Sequence, residues 1–150
     1  MKLEQLLDYD YWANKRLYVQ LWRQNAAREI PQTISLFSHI IAAQTIWCNR
    51  MEGVDESVDV WPEADLLTLG KAEAEMILTH ERLKKLIHHS GEVFSYKNSR
   101  GEAFENTVEE ALHHIVIHGQ HHRAQITLLM RQHDMSPPPL DYIFYLREQQ

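Results

Sequence analysis

His118 and His122 stand four residues apart in the segment His118-Gly119-Gln120-His121-His122. On a helix, at about 100° per residue, they lie roughly 40° and one turn apart, so both imidazoles can reach a single ion. The apolar pattern around them runs Val108, Ala111, Ile115, His118, His122, Gln125 or Ile126, and Leu129, which places both histidines on the core-facing seam. A single histidine there is ordinarily a core residue bonded to a backbone carbonyl. Two side by side leave four ring nitrogens in need of partners, and each buried polar group left without one costs about 1–3 kcal/mol. A divalent metal ion resolves that need directly. His113 projects to the other side of the helix, while His114 and His121 flank the seam.

Two ligands from one helix leave a transition metal under-coordinated, so a third must come from elsewhere. His39 is the candidate, sharing a face with Leu36, Ile40 and Ala43. The ion would lie between two helices, where bundles commonly build metal sites from facing side chains. Imidazole donors suit zinc, nickel, iron or copper, and three protein ligands leave room for water or substrate, as in a catalytic site. The spacing does not choose among these metals; zinc or nickel, then iron, are the expected cofactors. Asp10 and Asn14, polar at seam positions of the first helix, are candidates to hydrogen-bond the ligating histidines or a coordinated water, as is Gln125. A helix–helix hydrogen bond or a water-filled notch accounts for Asp10 and Asn14 equally well.

Competing motifs fail. A His-Glu-x-x-His metalloprotease helix needs Glu where Gly119 stands, and the one Glu-x-x-His unit, Glu110 to His113, points off the seam and cannot build a di-iron site. Cys48 sits beside Trp47 at the edge of a helix seam, with no sign of activation as a nucleophile.

The elements that must hold these residues are helical. Leu3, Leu7, Asp10, Asn14, Leu17 and Leu21 recur at spacings of three and four, the seam of a bundle helix. Pro31 suits the first turn of a second helix that ends near Met51 to Gly53. The acidic stretch from Val54 to Pro62 reads as a loop. Leu66, Leu69, Met76, Leu83 and Leu86 then support a third helix, stopped by Gly91. Residues 94–106 form a small hairpin or an irregular loop around Ser99-Arg100-Gly101. Thr107 and Glu110 make a capping box that starts the fourth helix, which runs to about His133, and the prolines at 137–139 end it. The expectation is an all-α four-helix bundle, a single domain over residues 1–150.

A net charge of −6 and a pI near 5.9 work against a phosphate-tracking surface, so nucleic acid is not an expected partner. No segment approaches the roughly 20 apolar residues of a membrane span, the N-terminal residues lack a signal peptide's apolar run, and Cys48 is the only cysteine. A cytoplasmic location is expected.

The sequence resembles the DinB-like (YfiT-like) family of metal-binding proteins. The resemblance rests on Tyr11-Trp12-Ala13-Asn14-Lys15-Arg16-Leu17, on Ser38-His39-Ile40 with Trp47 and Arg50, and on His114-x-x-x-His118-Gly-Gln-His-His122-Arg123-Ala124-Gln125-Ile126. It extends to the proline-rich stretch before Leu140-Asp141-Tyr142 and so covers essentially the whole chain. One departure is Ala124, where the family usually has glycine. The resemblance implies an up-down-down-up bundle, metal ligation by His39, His118 and His122, and a homodimer. It also implies metal-dependent transferase or isomerase chemistry with a low-molecular-weight thiol such as bacillithiol, mycothiol or glutathione. A metal-dependent hydrolase is the alternative enzyme, and a non-catalytic metal-binding stress-response protein the alternative outside enzymes.

Overall fold

The computed structural model describes residues 2–150. Four long helices form the bundle: α1 (Leu3–Arg23), α3 (Pro31–Glu52), α4 (Leu66–Leu86) and α5 (Val108–Gln132). Two short helices, α2 (Ala26–Glu29) and α6 (Tyr142–Glu148), and an antiparallel hairpin, β1 (Val93–Lys97) with β2 (Ala103–Thr107), complete it.

Local chemistry sets the helix ends. Pro31 occupies the first turn of α3, where its missing N–H is not needed, and Gly53 ends that helix at φ 68°, a left-handed conformation that glycine adopts without strain. Asp65 caps α4 by accepting from the Thr68 amide at 2.7 Å. Thr107 and Glu110 cap α5 reciprocally, each accepting from the other's backbone N–H. The hairpin reading for residues 94–106 is the one realised, with Ser95 opposite Glu105 and Tyr96 opposite Phe104. α4 ends at Leu86, earlier than Gly91, and one 3-10 turn over Ile87–His89 carries the chain to that glycine.

Cross-helix contacts fix the directions. His39 and Trp47 of α3 meet His122 and His114 of α5, so these helices are antiparallel. Gln44 meets Thr79 and Asn49 meets Arg82, so α3 and α4 are parallel. Asp8 meets Lys84 while Tyr18 faces toward Glu73, so α1 and α4 are antiparallel. Tyr9 meets Gln120 and Gln24 meets Ser136, so α1 and α5 point the same way. This is the up-down-down-up arrangement. Two consecutive parallel helices require the segment between them, residues 53–65, to return along the bundle, and that crossover becomes part of the site.

The core is one cluster in which Leu17, Leu21, Phe37, Ile40, Leu69, Leu112 and Ile126 are fully withdrawn from solvent. Cys48 lies inside it at 0% exposure, deeper than the edge of the seam, because α3 is covered by neighbours on several sides. The tail after α5 is tied back where the Tyr9 hydroxyl donates to the Leu140 carbonyl at 2.7 Å. Among the described residues no helix is long and apolar enough to cross a membrane.

Candidate metal centre

The middle of α3 and the middle of α5 carry the three histidines to one point. His118 Nε2 lies 3.2 Å from His39 Nε2 and 3.2 Å from His122 Nε2, and all three lie within 4.8 Å of one another. Tetrahedral nitrogen ligands at about 2.0–2.1 Å from a zinc ion are separated by about 3.3 Å, so the two shorter separations are those a single ion imposes. His39 and His122 are less than a tenth exposed.

The far side of each ring decides what the near side offers. His39 Nδ1 lies 2.7 Å from the Val60 carbonyl oxygen, which can only accept, so the proton of the neutral ring is on Nδ1 and Nε2 presents a lone pair. His122 Nδ1 lies 2.7 Å from Gln125 Oε1, with the same consequence. Two lone pairs therefore face His118 Nε2, which can donate to at most one of them. Burial pushes His118 down to about 4, with positive charge on His122 and His39 adding to the effect, and burial likewise lowers His39. Both rings are neutral at physiological pH, the form in which imidazole binds a metal. At least one lone pair is therefore left facing another nitrogen without a proton between them, and a cation removes the resulting repulsion. The donor set thus fits one divalent transition metal.

The crossover supplies two further parts of the site. Besides the Val60 carbonyl, Trp61 stacks on His39 with ring centroids 3.7 Å apart and planes 6° from parallel, and its edge meets His122 at 6.0 Å. A tryptophan in an acidic loop has no core of its own to enter, which is the one signal that could have marked it.

Asp10 and Asn14 do not reach the histidines. They belong to a buried polar network one turn away, in which Arg123 Nη1 donates to Asp10 Oδ1 and to Asn14 Oδ1, the latter at 2.7 Å. Asp10 Oδ2 accepts from Gln44 Nε2 at 2.6 Å, and Thr79 donates to Gln44 Oε1 at 3.2 Å, so the network ties all four long helices together. Arg123 is only 1% exposed, so the α5 seam includes a charged residue absent from the apolar pattern. Its guanidinium lies 5.7 Å from the Tyr9 ring. His113 bonds back to the Glu109 carbonyl of its own helix, and His114 packs its edge against Trp47, so neither joins the cluster.

Cys48 has no part in this centre: burial pushes its thiol up to about 12, leaving it un-ionised and inert at neutral pH.

Fold and site together define a helical bundle with a candidate three-histidine metal centre between antiparallel helices. The chain belongs to the DinB family, whose pattern it matches over residues 2–150. It is similar to Protein DinB of Bacillus subtilis (strain 168), at 24% identity over 157 aligned positions that take in 94% of this chain and 91% of that protein.

Proposed function

We propose that this chain is a metal-dependent enzyme of the thiol S-transferase or isomerase type, holding one divalent ion, zinc or nickel ahead of iron, through His39, His118 and His122. The observation that carries the reading is the convergence of three Nε2 atoms whose opposite nitrogens, at His39 and His122, are already committed to protein acceptors. Three protein ligands rather than four favour a working site over a purely structural one. A divalent ion bound there would lower the pKa of a thiol or water at its open position, giving a nucleophile at neutral pH. The residues around it bind and orient: Val60 and Gln125 fix the ring tautomers, and Trp61 holds the plane of His39. Cys48 is too deeply buried to supply the sulfur, so an external low-molecular-weight thiol fits the reading better than an internal one.

The test is metal analysis of natively purified protein followed by thiol titration of the cobalt-loaded form. A new near-ultraviolet absorption that appears with added thiol and persists in Cys48→Ser supports the transferase. If only water exchanges at the metal, the hydrolase takes its place, and if nothing exchanges the ion is structural.

A further inference from the structure

Arg50, in the last turn of α3, rests against a pair of aromatic rings that also touch each other, with centroids 5.1 Å apart. Its guanidinium carbon lies 4.7 Å from the Trp47 ring centroid and 4.8 Å from that of Tyr96 on β1. Two aromatic contacts of this kind restrict the group's freedom and use none of its N–H donors. The one protein acceptor it meets among the described residues is the Lys97 carbonyl, at 3.4 Å from Nη2. Among the described residues no carboxylate pairs with it, whereas Arg16, Arg82 and Arg123 are each paired with Glu148, Glu52 and Asp10 respectively. Arg50 is also partly withdrawn from water, and burial works against its charged form, with the adjacent Tyr96 opposing that effect in part.

Arg50 lines a groove of about 470 Å³ between the end of α3, the crossover and β1, with Lys97, Asn98 and Ser95 on the hairpin side and Asp55 and Glu56 on the crossover side. The groove also reaches Val60, whose carbonyl orients His39. On the other side of Arg50, Trp47 meets His114 at 5.1 Å, and His114 lies 5.6 Å from His118. Val60 and the Trp47–His114 pair thus link the groove to the candidate metal centre.

We propose that this groove binds the carboxylate of a small ligand through the Arg50 guanidinium, with Lys97 adding positive charge. The planar fork of arginine matches a carboxylate in two parallel hydrogen bonds. Asp55 and Glu56 on the facing wall repel a multiply charged anion such as phosphate and favour a ligand whose other end is cationic, so the class is an amino-acid-like or peptide-like zwitterion. The site needs no metal to form.

Triglycine, a zwitterion, and triglycine amide, which lacks the carboxylate, are the probes, titrated into nitrogen-15-labelled protein in metal-free and zinc-loaded form. The signals read are the Trp47 indole N–H and the Arg50 Nε–H. Triglycine is expected to shift both saturably in either form, triglycine amide to leave them in place, and inorganic phosphate to bind more weakly than triglycine. Arg50→Gln is expected to weaken triglycine binding about tenfold or more, and Arg50→Lys, which keeps the charge and loses the fork, to fall between. Equal shifts with the amide, unchanged affinity in Arg50→Gln, tighter binding of phosphate, or no saturable shift at millimolar triglycine would each overturn the proposal. Because the metal-free protein is tested too, failure of the metal chemistry does not hide the answer.

Discussion

Replacing Gly119 with alanine sets two physical effects against each other. Glycine inside a helix costs about 1 kcal/mol relative to alanine, so on propensity alone Gly119→Ala should stabilise α5. The added Cβ, however, would lie 2.5 Å from Asp10 Oδ1 and 2.8 Å from Arg123 Nη1, where ordinary contact begins near 3.4 Å. Neither neighbour is a loose surface tip: Asp10 is 3% and Arg123 1% exposed, and Gln44 holds the other carboxylate oxygen. Relief requires α1 and α5 to part or the ion pair to open. Overpacking costs about 1–3 kcal/mol and weakening a charged hydrogen bond about 1.5–3 kcal/mol, so with both incurred the net loss after the helix gain is about 1.5–5 kcal/mol. For a chain of this size that lowers Tm by about 5–15 °C. Gly70, exposed on α4 with nothing within 4 Å of its added Cβ, provides the control. Gly70→Ala should raise Tm by about 2–3 °C. Both variants are to be melted by circular dichroism in chelator and again with zinc. A Gly119→Ala protein that melts at or above wild type would refute the close-packed role assigned to the Asp10–Arg123 pair.

Replacing His39, His118 or His122 with alanine should abolish stoichiometric metal binding on equilibrium dialysis while His113→Ala keeps it; equal metal content in all four variants defeats the site. Acid should destabilise the metal-free protein in a definite window, since His118 is pushed down to about 4 in the fold but takes its proton near 6.5 when unfolded. The unfolded chain binds more protons between those values, so this contribution is fully present above about pH 6.5 and lost as pH falls toward 4. Urea midpoints should fall across that range and fall less in His118→Ala; identical slopes would remove the claim. A homodimer is expected by sedimentation at micromolar concentration, where exposed Ile117 and Val93 offer apolar area, and a purely monomeric boundary would count against it.

What could be read from the sequence was what repeats along a helix or marks its end. The α1 seam, Pro31, the Thr107–Glu110 box and the His118–His122 spacing are all of that kind, and each has its counterpart in the fold. Helices α2 and α6, four and seven residues long, are too short for periodicity to register. Arg123 was missed because a charged residue at a seam-flanking position reads as solvated. The signal for it lay on another helix, in Asp10, since a carboxylate placed on a core seam requires a buried cation. Asp10 and Asn14 were legible as buried polar residues but not as partners of Arg123, because nothing in one helix says which charge on a parallel neighbour will meet it. Val60 and Trp61 act through a backbone carbonyl and a stacked ring in a loop without periodicity, so only the folded crossover brings them to His39.

The crossover's hold on His39 also has a thermodynamic side. If the ordered segment around Val60 and Trp61 presents His39 Nε2 for coordination, the work of ordering it is shared between the segment and the ion. By reciprocity, whatever factor an ordered crossover adds to metal affinity, a bound metal adds to the order of the crossover. A segment with no helix or strand of its own would then behave as a reporter of metal occupancy, its amide exchange and protease sensitivity falling as the ion binds. The same segment forms one wall of the Arg50 groove, so a bound ion would also steady that wall, although the groove itself forms without the ion.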